Sequence, residues 1–336
     1  MARTLLALYP RKARRYDEML ADDGAVRPHW RKFFNHLDAV APEEMHERLE
    51  FVDHRIQENG VTYNVYADPK GSDRPWALDP LPLIIPHDEW AGVAAAVAQR
   101  ARLLNAILAD LYGEQKLLSE GLLPPALVYG QHGYLWPCRG IGPAGGVWLH
   151  NYAVDLARSP DGRWWAIGDR TQAPSGAGYA LENRLIVARV FPEMFSELHV
   201  QHLADFFRDQ QDGLAALAPV EGDEQPHIVL LTPGPYNETY FEHAYLARYL
   251  GFPLVEGHDL TVRGETVYLK TLRGLQRVHV ILRRQDDSYC DPLELRGDSA
   301  IGVPGLLNVA RAGILIGTTA RSGRLLASVA PVAFLT

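Results

Sequence analysis

The sequence is poor in cysteine, in lysine and in long apolar runs. Cys138 and Cys290 are the two cysteines among 336 residues, too few and too far apart for a disulfide framework or a zinc site. They are expected as buried thiols in a reducing compartment. Lysine thins out along the chain, and Lys270 is the only one after Lys116. Acidic residues outnumber basic ones by 41 to 33, a net charge of -8, so no global positive field draws the chain to nucleic acid or acidic lipid. The basic cluster from Arg11 to Arg15 reads as a solvated helix face. No apolar run is long enough to span a bilayer, and the stretch from Thr4 to Tyr9 is too short and wrongly flanked for a signal peptide. These absences predict a cytoplasmic protein with neither nucleic acid nor membrane as partner. Against them stand an apolar share of 47% and a length that supports more than one core, which excludes disordered and fibrous architectures.

The strongest pattern lies at residues 227–259. The apolar run Ile228 to Leu231 ends in the turn Thr232-Pro233-Gly234-Pro235. Asn237 and Glu238 then open a helix with Tyr240, Ala244, Leu246, Ala247 and Leu250 as apolar positions, closed by Gly251. Pro253, Leu254 and Val255 supply a second short strand, so the whole reads as a parallel βαβ crossover. Ligands of open parallel sheets sit beyond the carboxyl ends of the strands, which puts residues 232–242 and 256–259 beside a pocket. An ordinary loop with a good helix cap is the plainer reading of the turn.

Residues 1 to about 60 read as polar helices with Tyr16, Met19, Trp30, Phe33, Phe34 and Leu37 facing inward. Pro42 opens one of these helices and Gly60 ends it. A strand over 61–66 and a turn-rich stretch over 68–80 follow. The next helix has Asp88 as its cap and Trp90, Val97, Leu104, Leu108 and Leu111 at helical spacing as a core stripe. Three segments are expected: a helical N-terminal region at 1–75, a metal- and phosphate-binding part at 76–222, and a substrate-side part at 223–336.

Strands over 147–156 and 164–169 flank Ser159-Pro160-Asp161-Gly162-Arg163, the signature of a three-residue hairpin loop closed by a left-handed glycine. This loop pairs Ser159 with Arg163, so Asp155 and Asp169 are predicted on one face as a divalent-metal pair. In the plainer alternative one carboxylate caps a turn and the other pairs with an arginine. Directly after Asp169 comes a small-residue loop, Arg170-Thr171-Gln172-Ala173-Pro174-Ser175-Gly176, feeding a helix expected to begin near Ala180. Close backbone approach and a helix start favour phosphate there, with Arg184 as a bidentate clamp. Downstream, residues 260–269 form a hairpin about Arg263-Gly264-Glu265. Strand 278–282 runs into Arg283-Arg284-Gln285-Asp286-Asp287, a sequence suited to anion or peptide binding and otherwise a solvated charge cluster. A helix is expected over 303–313 and a strand over 314–316.

These blocks together resemble the circularly permuted type 2 ATP-grasp family, relatives of glutathionylspermidine synthase. The resemblance runs from Tyr16-Asp17-Glu18-Met19 and Leu111-Tyr112-Gly113-Glu114-Gln115 through residues 169–184, 232–260, 278–287 and 302–313. It implies a mixed α/β (α+β) fold with a helical N-terminal region and a Rossmann-like βαβ unit in the C-terminal half. It also implies ATP and Mg²⁺ as cofactors, and joining of a carboxylate to an amine through an acyl phosphate. Carried over by position, Asp155 and Asp169 are metal ligands, and Gln172, Pro174, Ser175, Gly176 and Asn183 bind the nucleotide. Arg184, Arg283 and Arg284 are catalytic, and Thr232, Gly234, Tyr236, Asn237, Glu242 and Asp286 meet a small-molecule or peptide substrate. The resemblance is incomplete in two places. Gly168 and Arg170 stand where the family has Glu and Asn around its central Asp, and the loop register turns position 168 away from Asp155. The family also continues beyond the position of Thr336, which implies a C-terminally shortened chain whose missing nucleotide-binding segment a partner chain could supply. Two functions are compatible with these features: an ATP-dependent ligase that is incomplete alone, and a non-catalytic relative that binds a peptide or partner.

Overall fold

The computed structural model describes Leu6, Tyr9 and residues 14–64, 66, 76–143, 146–218, 220 and 224–311. The expected strand at 314–316 and the end of the helix expected over 303–313 lie outside them. In chain order the elements are α1 (Pro28–Ala39), α2 (Pro42–Glu58), α3 (His87–Tyr112), β1 (Ala153–Arg158), β2 (Trp164–Arg170), α4 (Ala177–Val190), α5 (Pro192–Glu197), α6 (Ala204–Ala216), β3 (Ile228–Leu231), α7 (Tyr240–Leu250), β4 (Leu254–Val255), β5 (Leu260–Arg263), β6 (Thr266–Thr271), β7 (Gly274–Arg277), β8 (Val280–Arg283) and α8 (Leu306–Arg311). Short helical turns lie at Lys116–Ser119 and Pro125–Tyr129. The mixed helix and strand content is that of an α/β protein. No helix among the described residues is long and apolar enough to cross a membrane.

The chain forms two compact units that interleave in sequence. The first comprises residues 1–96, 156–166 and 176–203, and the second 97–155, 167–175 and 204–336. In the first unit α1, α2 and α5 each begin with a proline in the first turn, where its missing N–H costs nothing. Trp30, Phe33, Phe34 and Leu37 of α1 are buried, and Phe33 meets Phe191 edge-on at 5.8 Å. Asn59 donates to the Glu182 carboxylate at 2.5 Å, and Trp76 stacks on Tyr179 at 4.5 Å. The segment 61–64 does not form the expected strand; Val61 is buried and its carbonyl accepts from the Trp76 N–H.

In the second unit β3 is the centre of a three-stranded sheet, with β4 and β8 on either side and both parallel to it. Strands β5, β6 and β7 form a separate antiparallel sheet. The core gathers Leu104, Leu108 and Leu111 of α3, Val229 and Leu231 of β3, and Leu306, Leu307 and Val309 of α8. Tyr112 stacks between Tyr134 and Trp148, at 4.9 and 5.5 Å. The apolar stripe of α3 is core only toward its carboxyl end: Trp90, in the part of α3 that belongs to the first unit, is exposed. Asp291 has no solvent exposure, and its carboxylate accepts the N–H groups of Leu293, Gly305 and Leu307, so a buried acid caps the start of α8. Backbone passes so close at Gly257 that a Cβ there would run into the carbonyl oxygens of Ile301 and Gly302. Cys138 and Cys290 are free and buried, and burial pushes the Cys290 thiol up to about 11.

Candidate functional site

The parallel sheet of the second unit sets the geometry. From β3 the chain passes through α7 to β4 on one side, while β8 lies on the other, so the connections diverge at β3. Such a divergence opens a crevice at the carboxyl ends of the strands. Leu231 pairs with Arg283, and the Arg284 N–H donates to the Leu231 carbonyl at 2.8 Å. The ladder therefore runs one residue past β8 and sets Arg284 beside Thr232.

The turn between β3 and α7 is held by a chain of hydrogen bonds. Asn237 Oδ1 accepts from the Thr239 N–H at 3.0 Å and the Thr239 hydroxyl at 2.8 Å. With its proton given to Asn237, the Thr239 oxygen accepts from Nε2 of His243 at 3.1 Å. His243 Nδ1 is then the acceptor for the Thr232 hydroxyl, 2.9 Å away, and the Thr232 oxygen accepts the Gly234 N–H at 3.1 Å. The two links to the imidazole require neutral His243 with its proton on Nε2. Burial, then the nearby Arg284 charge, pull this imidazole down to about 3.

Beneath the turn lie two buried ion pairs. Arg284 Nη2 is 3.2 Å from Glu242 Oε2, with side-chain exposures of 5% and 0%. Arg283 pairs with Asp287 and donates to the Gln285 carbonyl. Burial disfavours the Arg284 charge and Glu242 only partly offsets it. At Arg283 burial is again the largest single influence and acts in the same sense, but Asp287, Cys290 and Asp286 together outweigh it and the guanidinium is held above its usual range. Arg284 Nε is buried with no hydrogen-bond partner among the described residues, a costly state for a guanidinium N–H. Tyr236 and Asp286 are exposed at the rim, and Gly234 brings its backbone against the Glu256 carboxylate, where a Cβ would lie 3.1 Å from an oxygen. Glu242, expected to face substrate, is instead wholly buried as the counter-ion of Arg284.

The β1–β2 hairpin corrects an expectation. Its loop is as predicted: the Ser159 N–H donates to Arg163 O at 2.9 Å and Gly162 has φ 85°. At the base, however, Asp155 does not share a face with Asp169. A Cβ on Gly168 would lie 3.3 Å from Asp155 Oδ2, and Arg170 grips the same carboxylate through Nε at 3.1 Å and Nη2 at 2.9 Å. Positions 168 and 170 share one face and 169 takes the other, so the alternation set by the loop shifts by one residue along the strands. Asp169, with no side-chain exposure, is bidentate to Arg100, Nε to Oδ1 at 2.6 Å and Nη2 to Oδ2 at 2.5 Å, and accepts the Tyr152 hydroxyl at 2.5 Å. The hydrogen bonds from Arg100 hold the Asp169 carboxyl below its ordinary range.

These residues do not fit Mg²⁺. A hard cation needs about six oxygen ligands, and here each carboxylate is already neutralised by a guanidinium. No cluster of three His, Cys, Asp or Glu groups suited to a metal occurs among the described residues.

The small-residue loop is divided: Gln172, Pro174 and Ser175 belong to the second unit, and Gly176, Asn183 and Arg184 to the first. Helix α4 starts at Ala177, earlier than expected, after Gly176 at φ 118° and without a side-chain cap. Asn183 accepts from Trp76 Nε1 at 2.9 Å, and Arg184 donates to the Gln201 carbonyl at 2.5 Å. Within the second unit Thr232, Gly234, Asn237, Glu242, Arg283, Arg284 and Asp286 do come together at the strand ends. Sequence reasoning missed His243, Arg100 and Tyr152, and it read Asp287 only as part of the charged run 283–287. Of these, His243 left a signal, a polar residue four positions after Thr239 at a helix start.

Comparison with known proteins gives a match to the family model described as circularly permuted ATP-grasp type 2 over residues 82–331. An uncharacterized protein of Mycobacterium tuberculosis is 43% identical over 309 residues, covering 89% of this chain and 34% of the relative. A second from that organism is 36% identical over 301 residues, covering 90% and 54%. One from Synechocystis is 38% identical over 298 residues, covering 89% and 62%. The chain thus spans between about a third and three-fifths of the length of these relatives.

Proposed function

Because the chain belongs to the circularly permuted ATP-grasp type 2 family, we propose that it serves ATP-dependent joining of a carboxylate to an amine, chemistry of the kind carried out by relatives of glutathionylspermidine synthase. A carboxylate oxygen of the substrate attacks the γ-phosphorus of ATP, the bond to the β–γ bridging oxygen breaks, and ADP leaves. The amine nitrogen then attacks the acyl carbon of the acyl phosphate, the carbon–oxygen bond to phosphate breaks, and the nitrogen sheds a proton to solvent. Both steps build charge on oxygens that fixed cations stabilise.

The observation that supports this most is the placement of Thr232 and Arg284 side by side at the carboxyl ends of the adjacent parallel strands β3 and β8. In the second unit Thr232, Gly234, Tyr236, Asn237 and Asp286 are assigned to the substrate, with a Rossmann-like β3–α7–β4 unit as their frame. Arg283 and Arg284 are assigned to the developing charge, and Glu242 positions Arg284. Gln172, Pro174 and Ser175 are assigned to the nucleotide. In the first unit Gly176 and Asn183 are likewise assigned to nucleotide, and Arg184 to its phosphates. The hairpin residues do not fit Mg²⁺ and are assigned no metal.

Arg184→Ala tests the assignment. Loss of one charge-assisted contact should cost about 1.5–3 kcal/mol of affinity, so calorimetric titration with a non-hydrolysable ATP analogue should show at least tenfold weaker binding by a variant that circular dichroism shows to be folded. Equal affinity in both proteins would remove Arg184 from the site.

The two arginine–carboxylate pairs at the hairpin base favour a second reading, a non-catalytic module that binds a peptide or partner. It predicts no response to the ATP analogue in the wild-type protein.

A further inference from the structure

We propose that Arg100 and Arg170, and not a divalent cation, supply the positive charge at the base of the β1–β2 hairpin. Three observations meet there. Asp155 is the carboxylate on the face shared by positions 168 and 170, and Gly168 adds no oxygen to that face. Arg170 covers the same carboxylate with Nε and Nη2 contacts of 2.9–3.2 Å. Asp169 points the other way, with no exposed side-chain surface and both oxygens on the Arg100 fork.

An incoming Mg²⁺ or Mn²⁺ would find one exposed monodentate acid and would have to displace a guanidinium or sit against it. The exchange is unfavourable on both counts: it loses a bidentate ion pair and brings two positive centres together. The Asp169 side is closed more firmly, because freeing that carboxylate strands an uncompensated buried charge. Arg100 lies on α3 and Tyr152 immediately before β1, so their contacts with Asp169 fix the end of β2. That fixes which face Arg170 takes and presents its guanidinium, 61% exposed, at the entrance to the loop 171–175. Asp169, Arg100 and Tyr152 are therefore positioning residues for a built-in cation.

Manganese separates this from a metal site without any catalytic assay and without nucleotide. Titrating the 336-residue chain with MnCl₂, followed by the electron paramagnetic resonance of free Mn²⁺ and by melting temperature, should show neither saturable binding nor a thermal shift. The double variant Gly168→Glu/Arg170→Asn puts two oxygen ligands on the Asp155 face and takes the cation away. It should bind one Mn²⁺ at least tenfold more tightly than wild type, and adding Asp155→Asn to it should abolish the gain. The proposal is overturned by one-to-one Mn²⁺ binding in wild type that Asp155→Asn removes. It is equally overturned if the double variant, folded by circular dichroism, gains no Mn²⁺ affinity. Because no nucleotide is present, either result is independent of whether the chain binds ATP.

Discussion

Arg284→Met is expected to lower the unfolding free energy by about 3–5 kcal/mol, the cost of leaving one member of a buried pair without its partner. Glu242 has no exposed side-chain surface, so without Arg284 its carboxylate must either stay ionised in a dry site or take up a proton. Glu242→Leu should cost a similar amount, since it leaves the Arg284 guanidinium buried with no counter-charge. The double variant Glu242→Leu/Arg284→Met removes both charges and should recover most of the loss, because buried pairs replaced by apolar groups are often neutral or better. Urea unfolding of the four proteins completes the cycle. Additive losses would mean that the two charges do not act as a pair.

Acid should loosen this same region before carboxylate titration begins. His243 is neutral in the fold, with a pKa pulled down from 6.5 to about 3. Above pH 6.5 it is neutral folded and unfolded, and its contribution is fully present. As pH falls from 6.5 toward 3 the unfolded chain takes up a proton that the folded chain refuses, so stability drops by about 1.4 kcal/mol per pH unit. Near pH 5 that amounts to about 2 kcal/mol. His243→Gln cannot titrate, and comparison of urea unfolding at pH 7.5 and 5.0 should show a correspondingly smaller pH dependence. Identical dependence in wild type and variant would mean that His243 already carries its proton in the fold.

What the sequence revealed and what it hid follow from the range of each signal. The β3–α7–β4 unit was legible because an apolar run, a proline–glycine turn and a closing glycine are all local. The hairpin loop was legible for the same reason. The face taken by Asp155 was not, since a one-residue shift in the alternation of β1 and β2 leaves no mark on composition. Arg100 was invisible as the partner of Asp169, 69 positions away, and so the metal expectation went uncorrected. Glu242 and His243 sit on the buried side of α7, where charge ordinarily argues for solvent. Their burial makes sense only with Arg284, supplied by β8, and with Thr232 at the end of β3. The interleaving of the two units was equally hidden, because three of the five crossings fall inside α3, β1 and β2, where turn signals are absent.

The activity proposed for this chain is activation of a carboxylate with ATP. It is tested most directly by incubating the chain with ATP, Mg²⁺ and hydroxylamine across a set of amino acids and short peptides, then measuring hydroxamate, ADP and AMP. Acyl-phosphate chemistry predicts hydroxamate and ADP in equal amounts with one class of acid, both lost in an Arg283→Ala protein that circular dichroism shows to be folded. Formation of AMP and pyrophosphate, or hydroxamate formation undiminished in Arg283→Ala, would contradict it.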